Sequence, residues 1–428
     1  MLFKNITILD EDLNVQENCF VETKGDIITY IGKKRPEESS GEEYEGKGRL
    51  LMSGFYNAHG HSPMSLMRGY GENMALQDWL NKKIFPFEDM LDGEAVYWGT
   101  MLSMAESMKF GIVSTSDMYY FCEDMAKAVA DSGMKANISR SIVNPAGEDP
   151  EAMDSFREMK SLYSDLHESC GGRIKIDMSL HAEYTSDRRT AEALADYAGK
   201  LDTVLHVHVS ETESEHRQCI ERHGMTPAAY LEDTGLFDIP AIAAHCVYSD
   251  DNDLEIFRRR GVTVATNPVS NMKLASGVCN AARVLEKGIN LAIGTDSVAS
   301  NNSLNFMEEM KVLAIGNKGF LKDPAVITPT EALKAATEGG AKAQRRDMCG
   351  ALREGAKADV VVIDISGANM HPIHSIINNL VYSCSGGDVE MTMVDGKVLY
   401  EKGNYRTIDI EKTIYQAEKA TKKILERL

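Results

Sequence analysis

Eight short apolar, β-branched runs recur between residues 50 and 300, and helical stretches separate them. The runs are "LLMSGFYNAHGH", "GIVSTSDMYY", "KANISRSIV", "RIKIDMSLHAEY", "TVLHVHVSE", "AIAAHCV", "GVTVATNP" and "NLAIGTDS". Amphipathic helical periodicity fills 94–109, 122–133, 151–168, 188–199, 212–223 and 250–260. Strands alternating with helices build parallel sheets, because a parallel pair needs a long crossover and a helix supplies it. Eight such units predict an α/β fold, a (β/α)8 TIM-type barrel. An open doubly wound sheet would use the same elements, but no G-x-G-x-x-G phosphate turn follows the first strand.

The two ends read differently. "LFKNITIL" and "CFVETKGDIITYIGKK" alternate in polarity and break at Gly and charge. "ADVVVIDI" (358–365) and "EMTMVDGKVLYEKGNY" (390–405) are also β-rich, with Asp395-Gly396 as a hairpin turn. Neither end has enough strands for a core of its own. The expectation is one small β-sandwich domain built from both termini. Residues 1–52 supply its first part, 53–350 form the barrel, and 351–428 supply the second part plus a terminal helix from about 409. The chain has 428 residues, 43% of them apolar, enough for a large barrel with a companion.

Net charge is −19, from 46 basic and 65 acidic side chains. Such a surface repels phosphate backbones and argues against a nucleic-acid partner. A small nucleoside stays compatible, because a pocket can differ from the global field. The H-x-E…P-C-x-x-C pattern of zinc deaminases that act on polynucleotides is absent as well. Eight cysteines lie far apart with no C-x-x-C pair, as reduced thiols of a cytoplasmic protein would. "MLFKNITILD" has no basic region leading into an apolar core, so no signal peptide is expected. No run approaches the ~18 apolar residues of a membrane span.

In a barrel, chemistry collects at the C-terminal ends of the strands. Run one ends in His59 and His61, and run four in His181. Run five carries His206 and His208, followed by Glu211; run six ends in His245, run seven in Asn267 and run eight in Asp296. Of eleven histidines, six fall at the ends of four runs, which scattered core histidines would not do. His59 and His61 share one face of a strand because the side-chain period is two. H-x-H alone is a weak pattern. With His208 and Asp296 it becomes a three-nitrogen, one-carboxylate set suited to a divalent ion such as zinc, with one position left for water. His206 faces the same way one layer deeper and is read as support or core rather than as a ligand.

Taken together these residues resemble the amidohydrolase superfamily, over nearly the whole chain. Within it the sequence is similar to the branch of 5′-methylthioadenosine/S-adenosylhomocysteine deaminases and related chlorohydrolases. The matching stretches are "GFYNAHGHSPMSLMRGYGE", "WLNKKIFPFED", "HVSETESE", "AAHCVYSDDN", "NPVSNMKLASG", "GTDSVASNNSLNFMEEM" and "GALREGAKADVVVID". The resemblance implies metal ligation by His59, His61, His208 and Asp296. It implies an acid/base role for Glu211, and for His245 the orientation of an attacking water, with Asp296 also moving a proton. Two-metal relatives use a carboxylated Lys at the end of strand four. Here His181 stands at that place and Lys175 near the strand start, which implies a single ion, Zn2+ first, with Fe2+ or Mn2+ as other candidates.

For substrate, the resemblance implies that Glu88 binds ribose hydroxyls, His181 contacts substrate, and Arg140 lies near the ribose 5′ end. No second Arg follows Arg140 until Arg157, which favours a neutral 5′ group. The implied activity is hydrolytic deamination of an adenosine-type nucleoside to its inosine analogue and ammonia. The nucleosides in view are 5′-methylthioadenosine, 5′-deoxyadenosine, adenosine and S-adenosylhomocysteine. Guanine or cytosine deamination and triazine-type hydrolysis would use the same metal set. A non-catalytic structural subunit is the reading from another class. Relatives of this kind imply a homo-oligomer, a dimer or tetramer, with no membrane partner.

Overall fold

The computed structural model describes residues 1–37, 39 and 41–428. All eight runs are strands of one parallel sheet: β1 (Phe55–Gly60), β2 (Ile112–Tyr119), β3 (Lys135–Ile142), β4 (Ile174–Leu180), β5 (Leu205–Val209), β6 (Ala241–His245), β7 (Thr263–Thr266) and β8 (Leu291–Ile293). They pair strictly in chain order. Just past β8 the backbone N–H of Asp296 donates to the carbonyl of His59 at 3.0 Å, a bridge that brings the eighth strand back to the first. The sheet is thus a nearly closed barrel, not an open one. Its strands are buried almost throughout, as parallel strands covered on both faces must be. Small side chains (Ala58, Ala265, Ala292 and Ala343, with Val204 and Ile242) fill a compact cluster of their own.

Helices Gly93–Lys109, Cys122–Ser132, Asp154–Leu166, Arg188–Ala198, Glu213–His223 and Asp251–Arg260 follow their strands in the order the periodicity predicts. Side-chain caps fix their starts: Asp92, Asp187, Thr212 and Asp250 each accept an N–H of the first turn.

The terminal segments form one nine-stranded mixed sheet. Its seam is the antiparallel pairing of Arg49–Ser53 with Val360–Asp364, which joins the two ends of the chain. Leu2–Leu9 pairs parallel with Arg49–Ser53 and antiparallel with Val15–Lys24. Asp395 and Gly396, both at positive φ, make the expected two-residue turn between Val389–Val394 and Lys397–Glu401. The sheet has its own apolar core around Phe3, Ile6, Val21, Leu51, Val360 and Met393.

Sheet and barrel meet at Gly54, one residue before β1, where any side chain would collide with Val113 of β2. A buried charge cluster locks the two together. Lys135, at the start of β3, pairs with Asp359 and, at 2.7 Å, with Asp395. Tyr56 donates to Asp359 at 2.9 Å. The terminal helix, Ile410–Leu425, packs back on Gly93–Lys109. All eight cysteines stand as free thiols. Among the described residues no helix is long and apolar enough to cross a membrane.

Candidate active site

The C-terminal ends of β1, β4, β5, β6 and β8 open into one cavity, whose wall includes His61, His181, His208, Glu211, His245 and Asp296. Period two on β1 and β5 aims His59 and His61, and His206 and His208, inward in layers. At or just past the ends of β5, β6 and β8 the backbone turns left-handed: Ser210, His245 and Asp296 have φ of +49°, +73° and +57°. Such conformations cost non-glycine residues and persist where the surroundings enforce them.

Hydrogen bonds fix which nitrogen of each histidine faces the cavity. Nδ1 of His61 donates to the Met118 carbonyl at 2.7 Å, and Nδ1 of His208 to the His181 carbonyl at 2.6 Å. Nδ1 of His59 lies 2.7 Å from Nε2 of His206, so His206 supports His59 from the layer below. The three Nε2 atoms therefore converge with their lone pairs free. Nε2 of His61 and His208 face each other at 3.4 Å. Oδ1 of Asp296 is 3.4 Å from Nε2 of His61 and 3.7 Å from Nε2 of His59. Nε2 of His59 is buried with no hydrogen-bond partner. Burial, then the neighbouring His61, holds the His59 imidazole well below its ordinary pKa, hence neutral. Four acceptors aimed at one point, with no proton donor among them, are a site for a cation. This donor set of imidazoles and one carboxylate fits a divalent transition ion.

Asp296 is held by hydroxyls. Its Oδ2 accepts from Ser270 at 2.6 Å and Ser300 at 3.1 Å, and its Oδ1 from the Ser297 N–H at 2.8 Å. His245 lies against the same centre, grouped with His59 and His208. Its Nδ1 meets the side-chain amides of Asn271 at 2.8 Å and Asn267 at 3.1 Å, which fix the ring plane. Its Nε2 is 3.8 Å from Oε2 of Glu211. Burial, then Asp296, pushes the Glu211 carboxyl up to about 8, and Ser276 lies at 3.4 Å from its other oxygen. Residue type and strand-end position pointed to Asn267, but to none of Ser270, Ser300, Asn271 or Glu215. All of them do fall within the quoted stretches "NPVSNMKLASG", "GTDSVASNNSLNFMEEM" and "HVSETESE".

The outer wall comes from the segment 76–88, helical throughout and widened to π-helix over Leu80–Ile84. Pro86 has no N–H to give the preceding turn, which suits that widening. Leu76, Trp79, Leu80, Ile84, Phe85 and Glu88 of this segment line the cavity. Burial pushes Glu88 up to about 7, partly opposed by the Tyr119 hydroxyl. His181 also faces the cavity, with Nδ1 buried and unpartnered. Arg140 is not on the wall. It stands behind it, over the Tyr120 ring at 4.9 Å, with Nε donating to Glu158 at 2.6 Å. Lys175 sits at the opposite, N-terminal end of β4, where it donates to the Arg345 carbonyl at 2.9 Å, remote from the cavity.

Residues 50–399 match the model of the amidohydrolase family. The chain belongs to that family. The 5-methylthioadenosine/S-adenosylhomocysteine deaminase of Thermoanaerobacter pseudethanolicus is 38% identical over 430 residues, covering the whole of both chains. The 5'-deoxyadenosine deaminase of Methanosarcina acetivorans is 37% identical over 429 residues, covering 100% of this chain and 99% of the relative. Among solved structures, an adenosine deaminase from Xanthomonas campestris with bound zinc superposes with a TM-score of 0.93. It has 28% identity and the match covers 99% of this chain and 98% of that one. This amidohydrolase chain therefore carries a divalent-metal site at the C-terminal end of its barrel.

Proposed function

We propose that this amidohydrolase is a zinc-dependent deaminase of adenosine-type nucleosides, releasing ammonia and the inosine analogue. One observation carries the reading. A cation site of three Nε2 atoms and one carboxylate oxygen shares a cavity with a buried acid, Glu211, and with a second carboxylate, Glu88, further out. His59, His61, His208 and Asp296 would hold one ion. When bound, it supplies the Lewis acidity that makes hydroxide available near neutral pH.

The chain's own residues do the rest. A 6-aminopurine resists attack at C6 unless N1 is protonated, and Glu211 holds a proton for N1. His245, fixed by Asn271 and Asn267, orients the water toward C6. Asp296 takes a proton from that water and passes it to the departing ammonia. Its hydrogen bonds from Ser270 and Ser300 keep the carboxylate aimed during the transfer. Glu88 accepts from ribose hydroxyls and His181 contacts the purine, so the ring is held in place before reaction. The segment 76–88 excludes bulk water from the outer side.

The test is a spectrophotometric screen of adenosine analogues with varied 5′ groups, supported by ammonia release. The adenine-to-hypoxanthine absorbance change is expected, and it disappears on chelation and returns with zinc. Turnover of guanine or of a triazine, without turnover of any adenosine analogue, would overturn the reading.

A further inference from the structure

We propose that Glu309 is the positioning residue that aims Asp296, acting through the two serines that hold its carboxylate and resting on the deaminase reading, in which Asp296 is ligand and proton carrier. Asp296 turns Oδ1 toward the histidines, 3.4 Å from Nε2 of His61, and Oδ2 toward Ser270 and Ser300. The two serine hydroxyls also meet each other at 2.8 Å. They come from separate segments: Ser270 from the helix Pro268–Lys273 after β7, and Ser300 from the turn after β8. Hydroxyls shared between two segments aim a carboxylate only if the segments keep a fixed separation.

Glu309 sets that separation. It lies in the first turn of the helix Phe306–Leu321 and is buried. Its Oε2 accepts the N–H of Val269, the residue before Ser270, at 3.2 Å. Its Oε1 accepts from the side-chain amide of Asn301, the residue after Ser300. The same Asn301 nitrogen donates to the carbonyl of Thr295, the residue before Asp296, at 2.8 Å. One carboxylate on a 16-residue helix thus holds the neighbour of each serine and, through Asn301, the backbone beside Asp296. The helix Pro268–Lys273 depends on that outside acceptor. Its N-cap residue, Asn267, makes no side-chain cap and turns its amide to His245 instead. The choice of an acid follows from the two donors. A carboxylate accepts on both oxygens, whereas the amide of Gln offers one acceptor and two donors. Burying a charge is costly, and here that cost is met by two hydrogen bonds that span both segments.

The experiment places Glu309→Gln in the full chain, once alone and once in a Ser270→Ala/Ser300→Ala background. Two quantities are read: the zinc dissociation constant, by competition with a chromogenic chelator, and kcat and KM for an adenosine analogue at saturating zinc. Alone, Glu309→Gln should raise the zinc dissociation constant about ten-fold and lower kcat about 10- to 100-fold, the range for groups that orient a metal ligand. KM should stay within about threefold. In the background that lacks both hydroxyls, the same substitution should add less than about threefold to either loss, because the changes cut one chain of contacts. Asn301→Ala releases one oxygen of Glu309 and should give a smaller loss of the same two quantities; it carries the test if Glu309→Gln does not fold. Wild-type zinc affinity and kcat in either folded variant overturn the proposal. So do losses that multiply in full in the serine background, because Glu309 would then serve the fold alone. The zinc measurement needs no substrate. If no adenosine analogue loses ammonia, the deaminase reading has failed, and zinc affinity still decides whether Glu309 aims Asp296.

Discussion

Glu211 is positioned by another buried acid, and replacing that acid gives a measurable prediction. Glu215 lies in the first turn of the helix Glu213–His223 and is 6% exposed. Its Oε1 accepts the N–H of Ser210 at 2.8 Å and its Oε2 the N–H of Glu211 at 2.7 Å. These bonds tie down the left-handed residue Ser210 and the turn that runs from His208 to the helix. Glu215→Gln keeps one acceptor and turns an NH2 group toward a backbone N–H. A hydrogen bond to a charged group contributes about 1.5–3 kcal/mol. If that loss appears as misplacement of Glu211, it lowers kcat by about 10- to 100-fold, at 1.36 kcal/mol per decade. KM should stay within about threefold and zinc content should not change, because neither the ribose contacts nor the ligands move. Steady-state kinetics with metal analysis of the same preparation checks this. A folded Glu215→Gln protein with wild-type kcat would refute the reasoning. So would a loss of stability with no loss of turnover, because the carboxylate would then serve only the fold.

Three further outcomes follow from the geometry. Glu211→Gln should cut turnover by about 10²–10⁴-fold, the range of a general acid–base group, while elemental analysis still finds a full complement of zinc; near-normal turnover contradicts the role. His61→Ala should lose metal and activity together, and full occupancy in that protein contradicts the ligand assignment. Lys135→Met should cost about 3–5 kcal/mol in denaturant unfolding, since it strands Asp359 in a buried site. The same change should invert a pH dependence. In the wild type, although burial acts the other way, Lys135 and hydrogen bonds hold the Asp359 carboxyl below its ordinary 3.8. That contribution to stability is present above pH 3.8 and is lost as pH falls through the folded pKa. Without Lys135, burial raises the carboxyl, so the variant should instead lose stability as pH rises above 3.8; parallel stability curves for the two proteins would exclude this account.

The parts of the molecule that could be read in the sequence are those fixed by a repeat. Short apolar, β-branched runs alternating with helices give the barrel, and the end of each strand gives the place where His59, His61, His208 and Asp296 meet. Asp395-Gly396 gave the hairpin because the turn demands positive φ at both positions. The joining of Arg49–Ser53 to Val360–Asp364 was legible only as a shortage of strands at each end, not as a register. Hydroxyls and amides have no spacing rule. Ser270 and Ser300 meet on Asp296 only because barrel closure brings the segments after β7 and β8 together. The same holds for Arg140 and Glu158, a strand residue and a helix residue whose contact depends on the loop between them. This separates two kinds of information. A metal set needs rigid points, so it sits on strand ends and leaves a periodic trace. The outer wall, the segment 76–88, is placed by packing instead, as is the helix Asp154–Leu166. Glu158 therefore reads in sequence as one more charge on a helix. Only its 2.6 Å contact with Arg140 shows that the two charges are paired.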